Sequence, residues 1–320
     1  MNGKGIEKMK NKILVIGGNG FIGKNVVNNL LKNNFIPIIY DRNESNLPVE
    51  QYFGNLLEDE KFPDIVRQCN CVIYLITSVS PKMSMEDPKL AYMNDIPLLL
   101  KTLNVCLENK IKRVIYASSG GTVYGEGNNR LFTEDDLTSP INHYAICKLS
   151  CEKILCLYNK LYDMENVILR ISNPYGIGQR PSSGVGAVTT FASNILEGKS
   201  ITLFGDGDIY RDYVDVESVS DAFRLSCDWN FRRDITPIFN IGSGEPLSLN
   251  EIIDVISSAL EVDVNVEKLP SRFFDVHYSA LDTSKAEKYL KYVRPTNQPK
   301  RIKKYVLELK KNLKSEHDFK

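Results

Sequence analysis

The chain predicts an α/β fold, a doubly wound parallel sheet with a smaller C-terminal α/β subdomain. Two features up to about Arg170 carry the first half of that prediction. Short apolar runs alternate there with longer amphipathic segments, and a glycine-rich turn, Gly17-Gly18-Asn19-Gly20-Phe21-Ile22-Gly23, stands between the first run and the first helix. A change of texture beyond Arg170, to loops rich in Gly, Pro and Ser at Ser172 to Gly186 and Phe204 to Asp212, carries the second.

Strands are expected at Ile13 to Ile16, Pro37 to Tyr40, Cys71 to Ile76, Arg113 to Ala117 and Val167 to Arg170, because each is a short, mostly apolar run. Helices are expected between them near Phe21 to Lys32, Pro63 to Cys69, Leu90 to Asn109 and Tyr144 to Tyr162. Pro97 lacks a backbone N–H, so the third helix should start or kink there. Further on, a helix at Glu217 to Cys227 and a strand at Ile238 to Ile241 precede two helices, Leu249 to Leu260 and Thr283 to Lys291, that flank another strand. The Lys-rich tail Arg301 to Lys314 reads as a solvated amphipathic face.

Composition narrows the function. A chain of 320 residues with 40 basic and 40 acidic side chains has no net charge to draw it to nucleic acid or a membrane surface. A small-molecule partner is expected. No apolar run reaches spanning length, and the N-terminal lysines lead straight into a strand, so neither a membrane segment nor a signal peptide is expected. Seven cysteines without paired CxxC motifs, and three histidines, fit neither a disulfide framework nor a metal site. A cytoplasmic protein is the simplest reading.

The glycine turn follows a buried-strand run, Ile13-Leu14-Val15-Ile16, and opens a helix. In that context the glycines bring backbone N–H groups close to a pyrophosphate at the positive helix end. Asp41 ends the second strand about twenty residues later, where a carboxylate accepts from the ribose hydroxyls of a dinucleotide and repels a 2′-phosphate. NAD is therefore favoured over NADP, although Arg42 could accommodate a 2′-phosphate. Tyr144 and Lys148 stand four apart on a predicted helix and share a face, so the ammonium can favour the phenolate and make a general base.

These landmarks, with others in order, resemble an extended short-chain dehydrogenase/reductase with a Rossmann-like sheet. The order is Gly17-x-x-Gly20-x-x-Gly23, Asp41, Gly54-Asn55-Leu56, Ser118 to Gly125, Tyr144-x-x-x-Lys148, Arg170 to Gly176, Arg211-Asp212-Tyr213-Val214, Asn240-Ile241-Gly242 and Arg272-x-x-Asp275. Within that group the chain resembles the NAD-dependent epimerase/dehydratase family, and most of all the UDP-hexose 4-epimerases of surface-polysaccharide pathways.

The resemblance implies that Gly17, Gly20, Phe21 and Ile22 carry the NAD pyrophosphate, Asp41 the ribose, and Asn55 with Leu56 the adenine. It implies that Asn173, Arg211, Arg272 and Asp275 hold a UDP-sugar, and that Ser279 gates its 2-substituent. A small gate leaves room for an N-acetyl group, so UDP-GlcNAc and UDP-GalNAc are expected substrates beside UDP-glucose and UDP-galactose. Residues 1–172, with 213–241 returning, would bind NAD; residues 173–212 and 242–320 would bind the nucleotide sugar. A homodimer through the helices at Pro97 to Asn109 and Tyr144 to Tyr162 is also implied.

Three departures stand out. Asn55 replaces the usual Asp, and its amide carbonyl can still accept a hydrogen bond. Gly120 stands where a catalytic Ser or Thr is usual, so Ser119, Thr122 or a water must supply the hydroxyl. Gly120 and Gly121 also argue against a 4,6-dehydratase, which needs an Asp/Glu pair there. Tyr74-Leu75-Ile76-Thr77 replaces a smaller strand end and could narrow the cofactor pocket. A nucleotide-sugar decarboxylase, a reductase or a different epimerase, and a silent NAD-sensing protein, remain as alternatives.

Overall fold

The computed structural model describes residues 11–181, 186–271 and 276–318. The first half alternates strand and helix: β1 (Lys12–Ile16), α1 (Phe21–Lys32), β2 (Ile36–Asp41), β3 (Glu50–Phe53), α2 (Phe62–Arg67), β4 (Cys71–Tyr74), α3 (Pro81–Glu86), α4 (Pro88–Glu108), β5 (Val114–Ser119), α5 (Gly120–Val123), α6 (His143–Leu161) and β6 (Val167–Ile171). The second half continues with β7 (Asn173–Tyr175), α7 (Ala187–Leu196), β8 (Ile201–Phe204), β9 (Tyr210–Asp215), α8 (Val216–Asp228), β10 (Ile238–Ile241), β11 (Pro246–Ser248), α9 (Leu249–Leu260), β12 (Val266–Leu269), β13 (Tyr278–Ser279), α10 (Ser284–Leu290) and α11 (Gln298–Asp318).

Seven strands form a parallel sheet in the order β10-β6-β5-β4-β1-β2-β3. The chain runs outward from β1 in both directions, which opens a crevice at the strand ends between β1 and β4, the place where such sheets bind ligands. Both faces are covered. In β1, Leu14 and Ile16 enter one core with residues of α2, α4 and α6, while Ile13 and Val15 enter another with α1 and α8. That double burial is why the central strands are continuous apolar runs.

Beyond β6 a smaller layer forms: β9 pairs with β7, β11 and β13, and β8 pairs with β12. Its core joins Val188, Ile201, Ile252, Ile256, Ile302 and Val306. After β9 the chain returns to the large sheet, where β10 adds beside β6 and Phe223, Trp229 and Phe239 share a core with Val26 and Leu30.

The structure departs from the sequence reading in three places. The stretch Phe204 to Asp212 is not all loop, since it includes the end of β8 and the start of β9. The edge strand β3 escapes the sequence because its half-exposed residues form no apolar run. Helix α4 passes through Pro97 without stopping; Met93, whose carbonyl loses its donor, is 70% exposed on the solvent side. The tail is amphipathic as expected: α11 buries Ile302, Tyr305 and Val306 against α7 and α9, while Lys300, Lys303 and Lys304 on its charged face stay exposed.

Candidate active site

The glycine turn closes at the end of β1. Gly17 adopts φ +83°, a left-handed conformation that favours glycine, and its N–H donates to the Tyr40 carbonyl at 2.9 Å. A Cβ on Gly23 would stand 2.2 Å from the Gly17 carbonyl oxygen, so α1 can approach the turn this closely only without a side chain there. Asp41 holds the turn from the next strand: its carboxylate accepts from the Asn19 N–H at 2.9 Å, the Arg42 N–H at 2.7 Å and the Asn43 N–H at 3.1 Å. The Oδ1 of Asn19 is buried in this turn without a hydrogen-bond partner.

A cavity of about 460 Å³ opens beside it, lined by Asp41, Arg42, Asn55, Leu56, Ile76 and Thr77 among others. Asn55 keeps its side-chain carbonyl turned to the Leu57 N–H at 3.3 Å, which leaves a second lone pair. Tyr74 does not narrow this space. Its ring is buried in the core 5.9 Å from that of Tyr116, and burial pushes its hydroxyl pKa well up. Ile76 and Thr77 do line the cavity, with Thr77 donating to buried Asp95 at 2.7 Å.

On α6, Asn142 caps the helix by accepting from the Ala145 N–H at 2.8 Å, and this fixes the turn that carries Tyr144. Lys148 is buried one turn on. Its ammonium donates to the Ala117 carbonyl at 2.9 Å and lies 5.6 Å from the Tyr144 ring centroid, as the spacing predicts. Ser119 ends β5, and Thr122 in α5 donates to its Oγ at 2.9 Å. A side chain at position 120 has no room: its Cβ would lie 2.5 Å from Leu281 Cδ1 and 3.0 Å from the Arg170 carbonyl.

Thr122 opens on a second cavity of about 410 Å³, shared with Gly121, Asn142, Asn173, Arg211 and Val276. Asn173, at the start of β7, donates to the Asp212 carbonyl at 3.1 Å, and Arg211 on β9 donates to the Tyr210 carbonyl at 2.8 Å. Ser279 sits on β13 in register with Arg211 but is buried, and it is not among the residues lining this cavity. Arg272 and Asp275 lie outside the described residues.

The structure adds residues that the sequence reading gave no role. Glu152 and Arg170 form a buried ion pair at 2.7 Å. Ser118 donates to Glu152 at 2.5 Å, Arg170 donates to the Tyr124 hydroxyl at 2.8 Å, and that hydroxyl donates to Asn240 at 2.7 Å. A signal existed: Glu152 follows Lys148 by four residues, repeating the spacing of Tyr144 and Lys148 on the sheet-facing side of α6. Asp212 is wholly buried, accepting from Ser243, Gly244 and Leu281, and burial pushes its carboxyl pKa up against the opposing effect of those donors.

Residues 13–242 match the description "NAD dependent epimerase/dehydratase family". The chain belongs to that family. It is 33% identical over 284 residues to a putative UDP-glucose 4-epimerase of Methanocaldococcus jannaschii, covering 86% of this chain and 91% of that protein. It superimposes on a Thermotoga maritima UDP-glucose 4-epimerase, solved with UDP-glucose, at a TM-score of 0.87 and 29% identity over 94% and 99% of the two chains. A UDP-N-acetylglucosamine 4-epimerase of Methanobrevibacter ruminantium, solved with UDP-N-acetylmuramic acid, gives 0.85 and 28% over 93% and 98%.

Like its family, this epimerase/dehydratase homologue uses NAD. The residues present fit that cofactor: a glycine cradle in which Gly18 and Gly23 leave no room for a Cβ, and a carboxylate at the end of β2 on the rim of the adjoining cavity. Among the described residues no cluster of His, Cys, Asp and Glu is placed to hold a metal ion, and no helix is long and apolar enough to cross a membrane.

The Glu152–Arg170 pair gives a stability prediction. Glu152→Gln leaves a buried guanidinium without its counter-charge and should lower unfolding free energy by about 3–5 kcal/mol in urea titrations. A loss under about 1 kcal/mol would show that the pair is dispensable.

Proposed function

We propose that this protein is an NAD-dependent UDP-sugar 4-epimerase, interconverting UDP-GlcNAc with UDP-GalNAc, UDP-glucose with UDP-galactose, or both. One observation carries the reading. Thr122, bonded to Ser119, opens on the same cavity as Asn173 and Arg211, while Lys148 lies against the Tyr144 ring at the head of the adjoining helix. The relatives named UDP-glucose and UDP-N-acetylglucosamine 4-epimerases support the same class of substrate.

Bound NAD would supply the hydride acceptor and donor for oxidation and re-reduction at C4, with no net redox change. The chain's own residues do the rest. Gly17, Gly20, Phe21 and Ile22 cradle the cofactor's pyrophosphate, Asp41 its ribose, and Asn55 with Leu56 its adenine. Tyr144 takes the proton of the sugar's 4-hydroxyl, and Lys148, held by the Ala117 carbonyl, favours the phenolate. Thr122 donates its single O–H to Ser119 Oγ in the structure and turns it to the reacting oxygen when the sugar binds, the Ser119 hydroxyl then donating to the Thr122 Oγ. Arg211 and Arg272 grip the diphosphate by charge-assisted bonds, while Asn173 and Asp275 orient the nucleotide sugar. Anchoring at the diphosphate leaves the hexose free to turn over.

Residues 1–172 with 213–241 form the cofactor half in this reading, and 173–212 with 242–320 the sugar-nucleotide half. We also propose a cytoplasmic enzyme supplying polysaccharide precursors, and a homodimer through α4 and α6. Met93, Leu157 and Leu161 on those two helices are 70%, 49% and 58% exposed, more apolar surface than one core face leaves open.

Purified protein should interconvert UDP-GlcNAc and UDP-GalNAc without added NAD. Tyr144→Phe should lower turnover by about 10²–10⁴-fold, and Thr122→Val by about 10²-fold with Ser119→Ala milder. Near-wild-type turnover in the Phe variant would remove the base from this scheme, and the reverse ranking would move the hydroxyl role to Ser119. Ser279→Tyr should abolish turnover of the acetylated sugars and spare UDP-glucose, by steric overlap. Equal loss on both substrates would show that Ser279 is a packing position behind the cavity and not a gate. Light scattering should give twice the 36.3 kDa of one chain; a monomer at micromolar concentration would refute the dimer.

A further inference from the structure

Ser84 is a wholly buried hydroxyl with no part in the scheme above. It lies on α3, whose cap Ser80 accepts from the Met83 N–H at 3.2 Å. Both of its hydrogen-bonding roles are filled. Its Oγ donates to the Pro81 carbonyl at 2.7 Å and accepts from the backbone N–H of Tyr144 at 3.1 Å. That N–H belongs to the first turn of α6, where donors have no partner within the helix. The Asn142 cap is bonded to Ala145, so the backbone of the proposed base is held from a different element.

The same short helix borders the second cavity, which Ser80, Pro81, Lys82 and Met85 line together with Thr122 and Asn173. A helix of six residues has little stability of its own, so its placement depends on what packs against it. One element therefore touches both the space for the substrate and the amide of Tyr144.

We propose that Ser84 is a positioning residue that couples occupancy of the sugar end of the second cavity to the placement of Tyr144 through α3. A ligand packed on Ser80 to Met85 favours the arrangement in which Ser84 meets the Tyr144 N–H, and that differential contact is what shifts the equilibrium. In this reading the sugar is the part that packs on α3, so UDP alone, which lacks it, does not make that contact. This coupling rests on the sugar-nucleotide reading of the cavity; the Ser84 to Tyr144 contact does not.

Residue-resolved amide hydrogen exchange on the full chain tests both parts. In Ser84→Ala the Tyr144 amide should exchange about tenfold faster, as expected for one lost hydrogen bond, with the Ala145 amide unchanged. The variant's turnover should fall about tenfold or more at unchanged KM, a split that general destabilisation does not produce. In the wild type, saturating UDP-N-acetylglucosamine should slow the Tyr144 amide about fivefold beyond saturating UDP. Unchanged Tyr144 exchange in Ser84→Ala overturns the positioning role, and equal protection by the two ligands overturns the coupling. If the Thr122 and Asn173 amides ignore UDP-N-acetylglucosamine altogether, the sugar-nucleotide reading falls and the coupling with it, and the Ser84→Ala exchange alone decides the positioning role.

Discussion

The site depends on the buried pair between Glu152 and Arg170. Two charges taken out of water are costly unless further hydrogen bonds satisfy them, and here each nitrogen of the guanidinium and both carboxylate oxygens have a partner. Glu152 accepts from Ser118 and from two guanidinium nitrogens at 3.0 and 2.7 Å, while Arg170 also donates to Tyr124, whose ring lies under the guanidinium. The pair thus pins α6 to β5 and β6, and Asn240 extends the tie to β10. Lys148 stands one turn from Glu152 on that pinned helix, and Ser119 and Thr122 follow Ser118 directly. The distance between the proposed base and the proposed hydroxyl is set by a network that touches neither.

Two other carboxylates organise loops beside the cavities. Asp41 gathers three backbone N–H groups and so locks the glycine turn to the end of β2. Asp212 gathers those of Ser243, Gly244 and Leu281, tying β9 to the loop after β10 and to the exit of β13. Each sits beside one of the two cavities and spends lone pairs on backbone N–H groups that have no ladder partner, and around the wholly buried Asp212 an unmet donor would be expensive. Loops shaped in this way keep their form without a hydrophobic core of their own.

What the sequence disclosed follows from what each residue must do. The parallel strands were legible because burial on both faces demands unbroken apolar runs, and the pairing of Tyr144 with Lys148 because a helix places the two on one face. The edge strand β3 has one neighbour and no such demand. The second cavity is built by residues from α3, α5, β7, α7 and β9, brought together by tertiary packing, and no local pattern announces that. Ser279, which the resemblance puts beside the sugar's 2-substituent, is in the fold a buried strand residue in register with Arg211, a placement no local pattern announces. Arg170 was read as part of a motif, and only the structure shows that it answers Glu152.

The absent hydroxyl at position 120 is explained by the same packing. Leu281 and the Arg170 carbonyl occupy the space a side chain would need there, and Leu281 reaches that point because its N–H is drawn to Asp212 and its strand neighbour Ala280 accepts from Phe132. Restoring a serine at 120 would push Leu281 off its place against Val123, Tyr124 and Phe132 and disturb the Asp212 cluster behind it. The backbone of α5 brings Thr122 round to the cavity two residues later, with Ser119 as its acceptor. A side chain at 120 would therefore fit only if Leu281 gave way, while the proposed hydroxyl of Thr122 faces the cavity without that demand.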